Sequence, residues 1–234
     1  AVLAMDVVVN QAANWNSMFG GGVPVPLTVR AIINRGGEQG AQHSQALHAW
    51  YAHVPGLRVV MPSTPVDARD LLIASVLCDD PVVYIDDRWL YEAEAELPPV
   101  APVDLRAIRP RVLRQGTDLT LVGTGHAAAM CQEAADLLED VSCEVIDVPV
   151  INPMVDADWN VLRESRTRTR RMLVVDGTWS SCGWAATVVA AMGGGQTLTL
   201  PPAPAPTSGE LENEFYQPIG AAAVAATAME MCGA

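Results

Sequence analysis

The feature that most restricts what this chain can fold into is a repeated exchange between two hydrophobic periods. Short, nearly continuous apolar runs alternate with segments whose apolar residues recur every three or four positions, as strands joined by helical crossovers do. Ala1 to Phe19 predicts a helix stopped by Gly20, Gly21 and Gly22. Then "PLTVRAII" predicts a strand, "SQALHAWYA" a short helix, "LRVVMP" a second strand and "PVVYID" a third. Between the last two, Thr64 stands as an N-cap, Pro65 at the first helical position and Asp67 where orphan amides favour a carboxylate. This alternation implies α/β architecture: two open, largely parallel sheets with flanking helices.

From Glu92 to Pro110 the pattern lapses into "EAEAELPPVAPVDLRAIRP", whose prolines forbid a regular element and favour an extended connector. This places one unit at residues 1–91, a linker at 92–110 and a second unit at 111–234. In the second unit the alternation resumes with strands "DLTLVGTG", "CEVIDVPV", "RMLVVDG" and "QTLTL". Helices are predicted over His126 to Glu139, Asp156 to Glu164 and Trp184 to Met192. Gly193 to Gly195 act as a helix stop. "PPAPAPTS" makes a rigid turn before a last helix from Tyr216 to Met231.

Composition excludes several classes of function. The net charge of −13 and a pI near 4.5 argue against a nucleic-acid groove, which needs a positive field. Arg166, Arg168, Arg170 and Arg171 form the one basic cluster and read as a solvated turn. All 14 basic residues are arginine, so the chain has no lysine for a Schiff base or a P-loop. Five scattered cysteines, without a CxxC pair, fit a reduced cytoplasmic setting. The longest apolar run, Ile219 to Met229, is too short to span a bilayer.

In open α/β sheets ligands gather beyond the carboxyl ends of strands, which directs attention to "NRGGEQGAQHSQ" after the first strand. Gly36, Gly37 and Gly40 let the backbone turn tightly and approach a ligand, and the loop ends with His43 beside Ser44 at a helix start. His43, His48 and His53 are spaced by five, about 140° apart on a helix at 3.6 residues per turn, so they do not share a face for zinc. His48 and His53 read as structural residues. For His43 the structural and functional readings stand about even. "VGTGH" lacks the third glycine of a dinucleotide fingerprint and is read as a strand-to-helix joint. Cys182 has no cation near it in sequence and reads as a plain thiol.

These residues carry a resemblance. "RAIINRGG", "QHSQALHAWYAHVPGLRVVMPSTPVDARDLLIASV", "RMLVVDG" and "PAPAPTSGELENEFYQP" resemble the β chain of the thiamine-diphosphate-dependent first component of 2-oxoacid dehydrogenase complexes, pyruvate and branched-chain types, in the transketolase-like superfamily. The likeness runs in order along nearly the whole chain. It implies a partial pyrimidine-binding-type domain followed by a transketolase C-terminal-like domain. It further implies thiamine diphosphate and Mg2+, both held mainly by an α-type partner subunit in an α2β2-type hetero-oligomer, with a lipoyl carrier or other acyl acceptor. His43, in the "HSQ" motif, would lie near the reacting carbon and serve as a catalytic group in decarboxylation or acyl transfer. The segment around Trp179 and Trp184 would contribute to a dimer interface, or serve equally as ordinary core.

One part of the family pattern does not transfer. The glutamate that activates the aminopyrimidine lies, in the family, upstream of the segment matching Ala1 to Phe19, and neither Asp6 nor Glu38 occupies its place. The cofactor-binding residues of this chain are therefore unassigned, and a potassium loop approximated by "SVLCDDP" is not carried over, leaving no metal ligands. Activity of this chain alone is not expected. The alternatives are a non-catalytic assembly subunit and a transketolase-like two-carbon transfer subunit of a split enzyme.

Overall fold

A computed structural model describes residues 2–233. Among these residues nine strands form two sheets. β1 (Thr28–Ile33), β2 (Arg58–Val60) and β3 (Val82–Asp87) belong to the first half of the chain, and β4 (Arg111–Arg114), β5 (Leu119–Gly123), β6 (Cys143–Asp147), β7 (Val150–Asn152), β8 (Met172–Trp179) and β9 (Gln196–Leu200) to the second. The first sheet has the order β1-β3-β2-β7 and the second β4-β6-β5-β8-β9. All pairings are parallel except β2 with β7 and β4 with β6. The expected fold class is the observed one.

The helices are α1 (Ala13–Met18), α2 (His48–Ala52), α3 (Pro65–Val76), α4 (His126–Leu137), α5 (Asp156–Thr169), α6 (Trp184–Met192), α7 (Gly209–Tyr216) and α8 (Ala221–Cys232). They sort into layers. Leu71 and Ala74 of α3 cover one face of the first sheet through Val82 and Tyr84. The opposite face meets the second sheet across one continuous core, in which Tyr51, Leu162 and Trp184 from α2, α5 and α6 fill the space between Val59, Val83, Val122 and Val174. α4 and α8 close the outer face of the second sheet over Leu121, Val145 and Val175. β3, β5 and β6 are buried along their whole length, which is why they read as largely apolar runs.

The local signals at α3 hold in detail. Thr64 accepts from the Asp67 amide at 3.1 Å, Pro65 opens the helix, and Thr64 Oγ1 donates to Asp67 Oδ2 at 2.7 Å. Four expectations change. Over the described part of the first predicted helix, a 3-10 turn (Val2–Ala4) and a π-helical stretch (Asp6–Ala12) precede α1, and the Asp6 carboxylate accepts from both Asn10 and Gln11. Its first residue, Ala1, lies outside the described residues. "CEVIDVPV" is two strands in different sheets, because Pro149 has no amide to continue the ladder while its carbonyl turns to accept from Met61 at 2.9 Å. The last helix starts later than expected, since Pro218 holds Gln217–Ile219 in a 3-10 turn and α8 begins at Ala221, while α7 precedes it as a separate helix that the sequence reading does not include. β4, directly after the connector, has too few residues to show a period.

The arginine cluster is not wholly solvated. Arg168 pairs with Glu144, a fully buried carboxylate on β6, at 2.6 Å, and Arg166 donates to the Met192 carbonyl. Trp184 lies in the core, while Trp179 is half-buried and donates to the Ala203 carbonyl at 3.0 Å. Among the described residues no helix is long and apolar enough to cross a membrane.

Candidate functional site at the carboxyl ends of the strands

The carboxyl ends of the two sheets face each other. Loops following β1, β2 and β3 therefore meet loops following β5, β6 and β8, and where backbone ends converge, polar groups must be satisfied by one another. Four side chains tie the seam near α3. Arg111, the first residue of β4, bonds Asp67 and also Asp147 at 2.7 Å, and Ser63 donates to Asp147 at 2.7 Å. Burial pushes the Asp147 carboxyl up to about 6 although Arg111 and Ser63 pull the other way. Asp67 is less enclosed: burial raises it, but its bonds from Arg111, Thr64 and Ser63 outweigh that and hold it below the ordinary carboxylate range.

A second buried set lies beneath the glycine loop. Arg35 stands 3.0 Å from Asp87, with its guanidinium over the rings of Trp89 and Tyr216. His126, the first residue of α4, stacks on Trp89 at 4.8 Å. Burial drives its imidazole down to about 4, with Asp87 opposing and Arg35 assisting. The "VGTGH" segment thus joins strand to helix and packs, as its sequence suggests.

The loop from Asn34 to Leu47 carries His43. It is closed at its neck, where the Asn34 amide donates to the His43 carbonyl at 3.0 Å and Ser44 Oγ donates to the Asn34 carbonyl at 3.1 Å. His43 is exposed in this turn, five residues before α2 begins, not at a helix start. Its glycines serve a purpose other than the expected approach of a ligand. A side chain at Gly36 would come within 2.2 Å of Trp89 Nε1, and one at Gly40 within 2.4 Å of Thr207 Cγ2. They let the loop lie flat against its own molecule.

Three buried side chains of the second half hold this loop. Glu212 accepts from the Gly36 amide at 3.0 Å and the Glu38 amide at 2.9 Å. Thr178 donates to the Ala46 carbonyl at 2.9 Å. Asp176 accepts from His48 Nε2 at 2.8 Å and, through its other oxygen, from the Ala185 amide at 2.9 Å. His48 and Asp176 are 1% and 0% exposed, and burial, which alone would raise the Asp176 carboxyl, is outweighed by His48 and Ala185 so that it lies low. His48 is structural, as its sequence reading has it. Its partner, 128 residues away, left no sequence signal, and neither did Glu212.

Above the loop a cavity of about 380 Å³ runs along β1. Its floor is Val29, Ala31, Ile33, Leu47, Tyr51 and Ile85, and its rim is Arg30, Asn34, Gln42, His43 and Gln45. β1 pairs only with β3 among the described strands, so the cavity follows an open sheet edge. His53 and Cys182 line a separate cavity of about 420 Å³, away from His43. No group of three or more His, Cys, Asp or Glu arranged for a metal ion occurs among the described residues.

Residues 3–93 match the transketolase pyrimidine binding domain family, and residues 109–218 match the transketolase C-terminal domain family. The chain is 34% identical to the acetoin:2,6-dichlorophenolindophenol oxidoreductase subunit beta of Cupriavidus necator, with 99% of this chain and 70% of that protein covered. It is 35% identical to the human mitochondrial pyruvate dehydrogenase E1 component subunit beta, covering 86% of this chain and 57% of that one. With the mitochondrial 2-oxoisovalerate dehydrogenase subunit beta of Dictyostelium discoideum the identity is 32%, over 80% and 51%. The chain thus spans from about half to 70% of these relatives. In fold it resembles a split-gene transketolase chain with a TM-score of 0.71 and 19% identity, covering 97% of this chain and 74% of that one.

Proposed function

Since the chain belongs to the transketolase-like family of β subunits of 2-oxoacid dehydrogenase components, we propose that it is the β-type subunit of a thiamine-diphosphate-dependent enzyme that decarboxylates a 2-oxoacid and passes the acyl group to an acceptor. The observation that carries this reading is the placement of His43, exposed on the rim of a cavity along an open sheet edge, on a loop fixed by three buried side chains. An imidazole so held meets a substrate without reorganising the backbone beneath it.

The cavity suits one side of a heteroaromatic coenzyme. Val29, Ala31, Ile33, Leu47 and Ile85 offer an apolar wall for a ring, and Asn34, Gln42 and Gln45 offer amides at its margin. Thiamine diphosphate, when bound, supplies the electron sink that loss of the 2-oxoacid's carboxylate needs. What this chain contributes is a wall that excludes water and the His43 imidazole, which holds a proton for the acyl acceptor. The remaining wall, the diphosphate site and its Mg2+ belong in this reading to an α-type partner in an α2β2-type assembly. The acceptor is a lipoyl carrier or a smaller molecule reaching the same rim.

Co-expression with an α-type subunit tests the reading. His43→Ala is expected to lower acyl transfer by about 10²–10⁴-fold, the usual worth of a general acid or base, while the assembly still forms. Wild-type transfer rates in that variant would overturn the assignment. Failure of the assembled wild type to bind thiamine diphosphate would favour a subunit that only supports assembly.

A further inference from the structure

The residues Gly36 to Glu38 form a small concavity of backbone amides. Gly36 and Glu38 both take left-handed conformations, with φ of 68° and 52°, and their N–H groups converge on one carboxylate. Such a concavity is an anion nest, the kind of backbone feature that elsewhere cradles phosphate. Here its occupant is Glu212, reaching across the seam from α7. Glu212 is 1% exposed and bonds these two amides, so its charge is met by main-chain dipoles. The left-handed Glu38 supports the same point. A non-glycine residue in that region is strained and persists where surroundings dictate it. The fit is also close on the outside, since a side chain at Gly209 would meet Glu38 Oε1 at 2.4 Å.

We infer that Glu212 is a positioning residue: by filling the nest it fixes the turn from which His43 projects. The connection is short. The nest begins two residues after Asn34, and Asn34 is bonded through its amide to the His43 carbonyl and through its carbonyl to Ser44. Without the carboxylate, the two amides lose their acceptor and the left-handed residue loses its reason to stay, so the far side of the loop is released. A small free anion in Glu212's place, a formate ion being the least demanding, would draw the two amides together again. The positioning role rests on the reading of His43 given above; the occupancy of the nest by a carboxylate does not.

The chain has four histidines, so labelling their ring Cε1 atoms with carbon-13 gives four C–H signals. In Glu212→Ala the His43 signal is expected to move and sharpen as the loop loosens, while His53, beyond α2 in a separate cavity, stays. Formate should return the His43 signal toward its wild-type position in a saturable way, and do nothing to the wild type. A folded Glu212→Ala whose His43 signal is unmoved overturns the inference, and so does movement that formate fails to reverse. If Glu212→Ala does not fold, Glu212→Gln replaces it: the amide keeps the shape but turns a donor toward one of the two N–H groups, and an unmoved His43 signal there is equally fatal. In the assembled enzyme Glu212→Ala should lower kcat by about tenfold with KM little changed, partly restored by formate. A restored signal with activity never altered would retain the nest and remove His43 from the chemistry.

Discussion

The two sheets differ most at their margins. The second sheet is finished: α4 and α8 cover one face, the shared core covers the other, and its β4 edge carries Arg111 and Arg114. Charged edges of this kind discourage further pairing. The first sheet ends on β1, whose Ile32 is 44% exposed, and Val23 and Leu27, in the segment leading into it, are also exposed. A bare apolar edge of parallel strand is a joining surface. The difference teaches how the proposed function would divide between the two halves: the second as frame, and the first presenting His43 on a loop that the frame holds.

Removing the tie between frame and face should have the largest effect. Asp176→Ala leaves His48 Nε2 and the Ala185 amide buried without an acceptor, together costing about 4 kcal/mol, measurable as a fall in the urea midpoint. A loss below about 1 kcal/mol would mean that the frame does not hold the loop through this pair.

Matched truncations compare the sheets directly. Leu121→Ala, in the middle of β5, is expected to cost about 2–5 kcal/mol, whereas Ile32→Ala at the open edge should cost less than about 1 kcal/mol in the isolated chain. Equal losses would erase the contrast. If Ile32→Ala instead weakens association with an α-type partner, the edge acquires its occupant.

A smaller effect sits at the Arg111 tie. Asp147 has its carboxyl raised from 3.8 to about 6 by burial. A raised folded value means that its contribution to stability is complete below the ordinary value and is lost as pH rises through about 6. Asp67 has the opposite sign, its contribution being lost only as pH falls below the ordinary carboxylate range. His126, lowered to about 4, adds a slope of opposite sign over the same range, which comparison with Asp147→Asn cancels. Relative to Asp147→Asn, the wild type should lose stability as pH rises from 3.8 to about 6, the window set by Asp147; parallel pH profiles would show that Arg111 already absorbs the difference.

What could be read from the sequence follows from the distance over which each interaction acts. Thr64, Pro65 and Asp67 satisfy one another within four residues, so the start of α3 is written locally. The nearly all-apolar "PVVYID" announces β3, because burial on both faces admits polar side chains only where they are paired, as Asp86 and Asp87 are with Arg30 and Arg35. "CEVIDVPV" hides its break, since β6 and β7 are both apolar and only Pro149 marks the change of sheet. The glycine loop was legible as a special backbone but not in its purpose: Gly36 makes room for Trp89, and Glu212 fills the nest from 176 residues away. His43 drew attention by its place after β1, whereas Asp176 looks in sequence like any acid at the end of a strand.

β7 gives the molecule a property that neither half has alone. Because this short segment of the second half is stitched into the sheet of the first, the connector, exposed over 92–104 and anchored at Leu105, is not the sole tie between them. Its severing would leave both pieces interlocked, and hinge bending between them would first have to unzip a strand.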